Sequence, residues 1–322
     1  MTAEPSDKGV AATITGIGTA VPEARLTNAD LEAHLDTSDE WIVARTGIRE
    51  RPVAAPSETS GSLAIAASAA AIKDAGLVPD DVDLLVVATT TPDQLLPQTS
   101  ALVHEGLGLR CGAFDVGAAC AGFVHGLVVG AALRDAGGLD AVVVVGAETL
   151  TRIVDPDDRA TVPLFGDGAA AVVLRPAAAG SGLQAWDLGC DGSAASILAI
   201  PPGHQFIQME GQEVFRRAVR AVTSSAANAL RTAGVSAVDV DLFVPHQANV
   251  RIINLAAQRL GIPEERTMIN VDRYGNTSAA SIPLALAEAV DGARVHDGDI
   301  VLLSGFGAGM TWASAVLRWG GP

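Results

Sequence analysis

Lysine is nearly absent from this 322-residue chain, which holds only Lys8 and Lys73. Arginine raises the basic total to 21, against 37 acidic residues, for a formal net charge of −16. Without a basic excess the chain lacks the electrostatic footprint of a nucleic-acid binder, and the same deficit argues against attachment to an anionic membrane surface. Cysteine is scarce as well: Cys111, Cys120 and Cys190 are too few, and odd in number, for a secreted disulfide framework. Met1 to Gly9 is polar and carries no apolar signal core. Charged residues make up 18% of the chain against 49% hydrophobic, a core-rich balance that argues against disorder. A reduced, cytoplasmic enzyme is the expected class. At roughly 150 residues per domain, the length suits two domains or two fused halves.

One uncharged run, Val116 to Leu133, reaches the lower length limit of a membrane span. Interior glycines, His125 and the absence of the usual basic flanks favour a buried central helix instead.

The chain repeats itself. Ala69 to Leu77 (AAAIKDAGL) followed by Asp81 to Val86 (DVDLLV) matches Ala227 to Val235 (ANALRTAGV) followed by Asp239 to Val244 (DVDLFV), at a constant shift of 158 residues. Each copy reads as a helix stopped by glycine, a short loop and an apolar strand. Two further apolar runs follow in each copy: Ala141 to Gly146 and Ala169 to Leu174, then Asp299 to Gly305 and Ala313 to Leu317. The expected fold class is α/β, with two duplicated halves, 1–175 and 176–322, related by a pseudo-twofold axis.

Within this frame a few residues can do chemistry. Cys120 stands among small residues (GAACAGF) at the start of the long apolar helix, where aligned peptide dipoles should favour the thiolate. His246 follows Val240 to Val244 and Pro245, at a strand end where open α/β sheets place function. Asn276 follows Tyr274-Gly275. A cysteine with a separately encoded His and Asn suits thioester or acyl chemistry. His125 lies five residues after Cys120, poor spacing for a shared metal, and no ligand cluster appears. Gly16-Ile17-Gly18 and Gly305 to Gly309 both lack the strand–turn–helix context of a dinucleotide fingerprint. The second suits backbone N–H groups facing an oxyanion. Thr37 to Glu40 reads as a capping box that starts a helix with Trp41 and Arg45 on one face.

Taken together, TSDEWI (37–42), RTGI (45–48), ACAGF (119–123), FGDGA (165–169), PHQAN (245–249), GNTS (275–278) and FGAG (306–309) resemble the β-ketoacyl-acyl-carrier-protein synthase III family, condensing enzymes of the thiolase superfamily. The resemblance runs from end to end and implies a five-layered α-β-α-β-α fold and a homodimer. It implies Cys120 as nucleophile with His246 and Asn276, an oxyanion hole of the Cys120 and Ala308 N–H groups, and no metal or cofactor. Acyl-CoA is then a substrate, bound by Trp41, Arg45 and Arg152 at its nucleotide end and by Phe215, Asn249 and Arg251 along the pantetheine. The second substrate is malonyl-acyl carrier protein, an acidic partner expected to dock on Arg251, Arg259 and Arg216, with Arg217 beside them. Leu96 is expected to reach across the dimer to the floor of the partner's acyl pocket. Two departures stand out: Thr151 where relatives have a small residue before the arginine, and Ala308 where many have glycine. The implied reaction is a decarboxylative Claisen condensation that initiates fatty acid synthesis. Alternatives on the same fold are a starter-unit ketosynthase or acyltransferase of polyketide metabolism, or a non-catalytic partner subunit.

Overall fold

The computed structural model describes residues 12–321; the polar Met1 to Gly9 stretch lies outside them. The first half supplies strands β1 (Ala12–Ala20), β2 (Leu84–Ala88), β3 (Gly112–Val116), β4 (Val142–Thr149) and β5 (Asp167–Pro176). Its helices are α1 (Asp39–Thr46), α2 (Ser60–Asp74), α3 (Thr99–Leu107) and α4 (Gly122–Gly137). The second half supplies β6 (Gly182–Cys190), β7 (Leu242–Pro245), β8 (Ile300–Gly307) and β9 (Thr311–Arg318), with helices α5 (Gly211–Ala233), α6 (Val250–Leu260) and α7 (Ser281–Asp291).

The first sheet runs β1-β5-β4-β2-β3 and the second β6-β9-β8-β7. Pairing is antiparallel for β1/β5 and β5/β4, then parallel for β4/β2 and β2/β3. The second sheet repeats this as antiparallel β6/β9 and β9/β8, then parallel β8/β7. A parallel bridge from Phe243 to Thr267 stands where the fifth strand would lie. The 158-residue shift also relates the first residues of β2 and β7, and of β4 and β8.

The repeated Asp-Val-Asp-Leu frame has a structural cause. Asp83 accepts from the Ala141 N–H (3.0 Å), and Asp241 from the Ile300 N–H (2.9 Å). Each carboxylate thereby fixes the start of the neighbouring strand. Both repeated helices stop at a glycine with φ of +70°, Gly76 and Gly234, which relieves the steric cost of the left-handed turn.

Three apolar cores glue five layers together. Leu63, Ala67 and Ala71 of α2 and Val103 of α3 cover one face of the first sheet. Val219, Val222 and Ala226 of α5 and Ile252 and Ala256 of α6 cover the outer face of the second. Between the sheets, Phe123, Leu127 and Ala131 of α4 pack with Ile282, Ala285 and Leu286 of α7. The uncharged run is therefore largely the central helix of the core rather than a span: by length and composition alone Ala119–Gly137 could cross a membrane, but 61% of it is buried inside the protein.

Two local expectations need correction. The cap of α1 is Ser38, whose hydroxyl accepts from the Trp41 N–H, and no reciprocal capping box forms from Thr37. Pro245 ends β7 from within, paired in register with Ser304; its missing N–H limits the ladder only beyond that pair. The Gly16 and Gly18 pair serves packing: a Cβ on Gly18 would lie 2.3 Å from the Ala67 oxygen and the Ala71 nitrogen. Gly18→Ala should therefore push α2 off β1 and lower stability by about 1–3 kcal/mol, the usual cost of overpacking. Urea unfolding checks this against Gly192→Ala, where a Cβ meets nothing within 4 Å and the midpoint should barely move.

Candidate active site

Cys120 sits in a short 3-10 turn, Ala119–Ala121, that leads directly into α4. Ala119 holds φ at +46°, strained for a residue with a Cβ, and Cys120 is 8% exposed. The end of β8 lies against this turn: a Cβ on Gly307 would come within 2.5 Å of the Cys120 nitrogen. Ala308 follows without entering the left-handed region, which Gly309 and Met310 take instead, so alanine is accommodated there. Burial pushes the Cys120 thiol up to about 12, outweighing the hydrogen bonds that favour the anion.

His246 and Asn276 converge on the same cleft as Cys120. The His246 N–H donates to the Ser304 carbonyl (2.8 Å), tying the residue to β8. Its Nδ1 is 2.6 Å from the Ser281 hydroxyl at the start of α7, and its ring meets Phe306 edge-on at 5.4 Å. Nε2 is thus the nitrogen left for a substrate. A hydroxyl can donate or accept, so this contact survives whichever ring nitrogen carries the proton. Burial lowers the imidazole pKa to about 3, leaving it neutral. Asn276 donates its backbone N–H to Leu164 (2.7 Å), and its Oδ1 accepts from the Ser278 N–H (2.8 Å). With Oδ1 occupied, the amide turns Nδ2 outward as its free donor.

The cleft measures about 580 Å³ and runs from Trp41, Arg45 and Arg159 to the three buried residues. Arg45 stacks over the Trp41 ring at 4.3 Å and Arg159 at 4.9 Å. Arg159, not Arg152, is the second arginine here. Arg152 turns away and donates to the Ala55 and Glu58 carbonyls. Its neighbour Thr151 is no incidental departure, since its hydroxyl donates to buried Asp167 (2.6 Å). Phe215, Asn249 and Arg251 line the cleft, with Arg251 over Phe215 at 5.4 Å. Asn249 also caps α6 and donates to the Arg45 carbonyl (2.9 Å), so it joins α1 to α6. Arg251 and Arg259 are exposed on α6. Arg216 and Arg217 are neutralised by Glu213, and Arg217 also by Asp191 (2.8 Å).

Beyond Cys120 a second cavity of about 200 Å³ opens, walled by Leu150, Ile153, Phe165, Leu198, Ile200 and Ile207. Leu96 is not among the residues that line it; it stands 72% exposed, beside Leu95 at 89%. Sequence reasoning passed over Ser281, Ser278 and Glu148. Only Glu148, a lone acid in an apolar strand, carried a visible signal. No group of three or more His, Cys, Asp or Glu able to hold a metal occurs among the described residues.

Comparison with known proteins agrees with this architecture. Residues 114–192 match the family described as 3-oxoacyl-[acyl-carrier-protein] synthase III, and residues 230–319 match its C-terminal family. A β-ketoacyl-[acyl-carrier-protein] synthase III of Roseiflexus sp. (strain RS-1) is 48% identical, covering 96% of this chain and 98% of the relative. The crystal structure of the synthase III from Thermus thermophilus superposes with a TM-score of 0.93 at 49% identity, covering 96% of this chain and 100% of that one. The priming β-ketosynthase of the R1128 polyketide pathway gives 0.91 at 37% identity, with both chains fully covered. With full-length identity near one half, a matching fold and a buried Cys, His and Asn around one cleft, this chain belongs to the β-ketoacyl-acyl-carrier-protein synthase III family.

Proposed function

We infer that the chain condenses an acyl-CoA primer with malonyl-acyl carrier protein through an acyl-Cys120 intermediate, giving the 3-oxoacyl carrier protein that initiates fatty acid synthesis. The observation that carries this reading is the convergence of Cys120, His246 and Asn276 at the buried end of a cleft whose outer end holds Trp41 and two arginines. The polyketide alternative is less favoured, because the R1128 priming enzyme is 37% identical, against 48% for the Roseiflexus synthase III and 49% for that of Thermus thermophilus.

The thiolate attacks the acyl thioester, and the N–H groups of Cys120 and Ala308 stabilise the tetrahedral oxyanion; one such donor is worth about 10²–10³ in rate. The acyl chain enters the apolar cavity behind Cys120, and CoA departs. Malonyl-carrier protein then threads its arm down the cleft. His246 Nε2 and Asn276 Nδ2 donate to its thioester carbonyl, so charge that develops as CO₂ leaves is held as an enolate. The carbanion attacks the acyl-cysteine. Metal and redox chemistry have no part in these steps, and the reduced thiol suits a cytoplasmic setting. Arg251 and Arg259 on α6 offer the carrier protein a basic face; Arg216 contributes less, being paired with Glu213. Exposed Leu95 and Leu96, together with the edge strand β3, support a homodimer in which Leu96 reaches the partner's acyl cavity.

The two half-reactions can be separated. Cys120→Ala should form no acyl-enzyme by intact mass spectrometry. Asn276→Ala should still acylate yet lose CO₂ release from malonyl-carrier protein; normal release would remove the enolate assignment. At the nucleotide end, Arg159→Ala should raise KM for acyl-CoA by about tenfold, or roughly 1.4 kcal/mol of uniform binding. Arg152→Ala should leave KM unchanged; the reverse pattern in steady-state kinetics would restore Arg152 to the cleft. The cavity has room for chains beyond acetyl, with each buried methylene worth about 0.8 kcal/mol. Leu96→Phe should shift selectivity toward acetyl-CoA in a primer competition assay, and an unchanged spectrum of primers would exclude Leu96 from the floor.

A further inference from the structure

Glu148, next to last in β4, holds a carboxylate that the condensation as described does not use. It is fully buried. Five donors from the loop after β2 surround it: the N–H groups of Thr90 (3.0 Å) and Thr91 (3.1 Å) and the hydroxyls of Thr89 (3.3 Å), Thr90 (3.0 Å) and Thr91 (2.7 Å). Such a shell suits an anion, because an ionised carboxylate only accepts. Burial opposes the charge and raises the proton affinity of the group.

Ser278 lines the apolar cavity together with Cys120 and with Thr90, one of the donors to this carboxylate. Its hydroxyl is itself buried and makes no well-formed hydrogen bond in the resting chain, so it is free to turn from the thiol to the carboxylate. Its backbone is held at φ +47°, a conformation that persists only where the surroundings impose it. Cys120 is the titratable group that Glu148 acts on, and His246 shares the cleft with Cys120.

Cys120 must lose its proton to attack, and two bases are near. His246 is neutral, so accepting a proton creates a second charge beside the thiolate; burial weakens it, to about 3. The five donors favour Glu148 as the anion, so accepting the proton only moves a charge, and burial raises its affinity for that proton. We propose that Glu148, acting through Ser278, takes the Cys120 proton and stores it for the lifetime of the acyl-enzyme. During acylation the S–H bond breaks as the S–C bond forms. The proton passes to Ser278 Oγ while Ser278 gives its own to Glu148, and CoA leaves as a thiolate that solvent protonates at the cleft mouth. During condensation the carbanion bonds to the acyl carbon and the C–S bond breaks with its electron pair on sulfur. Glu148 then returns its proton through Ser278. One solvent proton is consumed per turnover, as the loss of CO₂ from a malonyl anion to give a neutral ketone requires. While the acyl chain occupies its apolar cavity, the stored proton leaves no charge beside it. Ser278 faces the cavity that the reacting sulfur also lines; Glu148 is a positioning residue that holds the proton.

The inference rests on Cys120 as nucleophile, and the test separates the two. Rapid-quench mass spectrometry follows acylation by an acyl-CoA across about pH 6 to 10. Glu148→Gln and Ser278→Ala should each slow it at neutral pH by roughly 10²–10⁴, the usual contribution of a general base, with a deficit that shrinks as hydroxide takes over. Acylation of the wild type should bring up the infrared carbonyl stretch of a protonated carboxylic acid, absent from Glu148→Gln. Ser278→Ala leaves the five threonine donors in place, so it serves if Glu148→Gln does not fold. Wild-type rates and pH profiles in both variants would overturn the relay, as would a loss equal at every pH, the mark of a structural role. Failure of the wild type to acylate Cys120 would instead remove the nucleophile, and the relay with it.

Discussion

A Cβ on Gly146 would lie 2.3 Å from the Ala279 carbonyl oxygen, so glycine alone lets β4 approach the turn before α7 this closely. That contact joins the halves where it matters. It sets the loop carrying Asn276 and Ser278 against the strand that carries Glu148 and beside the turn that carries Cys120. The opposite sheet makes a matching approach, since Gly305 and Gly307 admit the Cys120 turn to the end of β8. Neither half holds a site alone: the nucleophile comes from one, the imidazole and amide from the other, and backbone contact fixes their distance.

Desolvation is the second organising influence, and it acts unevenly along the cleft. At the buried end it raises the thiol, depresses the imidazole and leaves both uncharged at rest. The outer end keeps its charges near water, where Arg45 and Arg159 lie over an indole. A thioester entering the site passes from an ionic environment, suited to a nucleotide, to a dry one where backbone dipoles act at full strength on a developing oxyanion.

The large features were legible in the residues because they repeat or alternate. The 158-residue shift announced the paired sheets, and the uncharged run announced a central helix. Cys120, His246 and Asn276 were legible through their neighbours: small residues before a helix, a proline at a strand end, a glycine before the asparagine. Arg152 was not legible, because an arginine beside a strand end looks the same in sequence whether it turns toward the cleft or, as here, toward the Ala55 carbonyl. Arg159 lies in an acid-rich loop, and only the tertiary path brings it to Trp41. Burial opposes the thiolate expected from the helix start: the dipole is a local property of the chain, whereas burial belongs to the whole fold. Ser278 and Ser281 gave no signal, as serine in a loop is ordinary.

The strained turns at Ala119 and Ser278, with φ of +46° and +47°, lie within one residue of the 158 register and precede the two central helices. They are the same turn, used twice. A half-length ancestor pairing with a second copy of itself would have carried two equivalent clefts, each obliged to keep one sequence in both turns. Fusion into one chain lifts that obligation. One turn could then specialise as the attacking sulfur's seat and the other as its support, a division of labour closed to a symmetric pair.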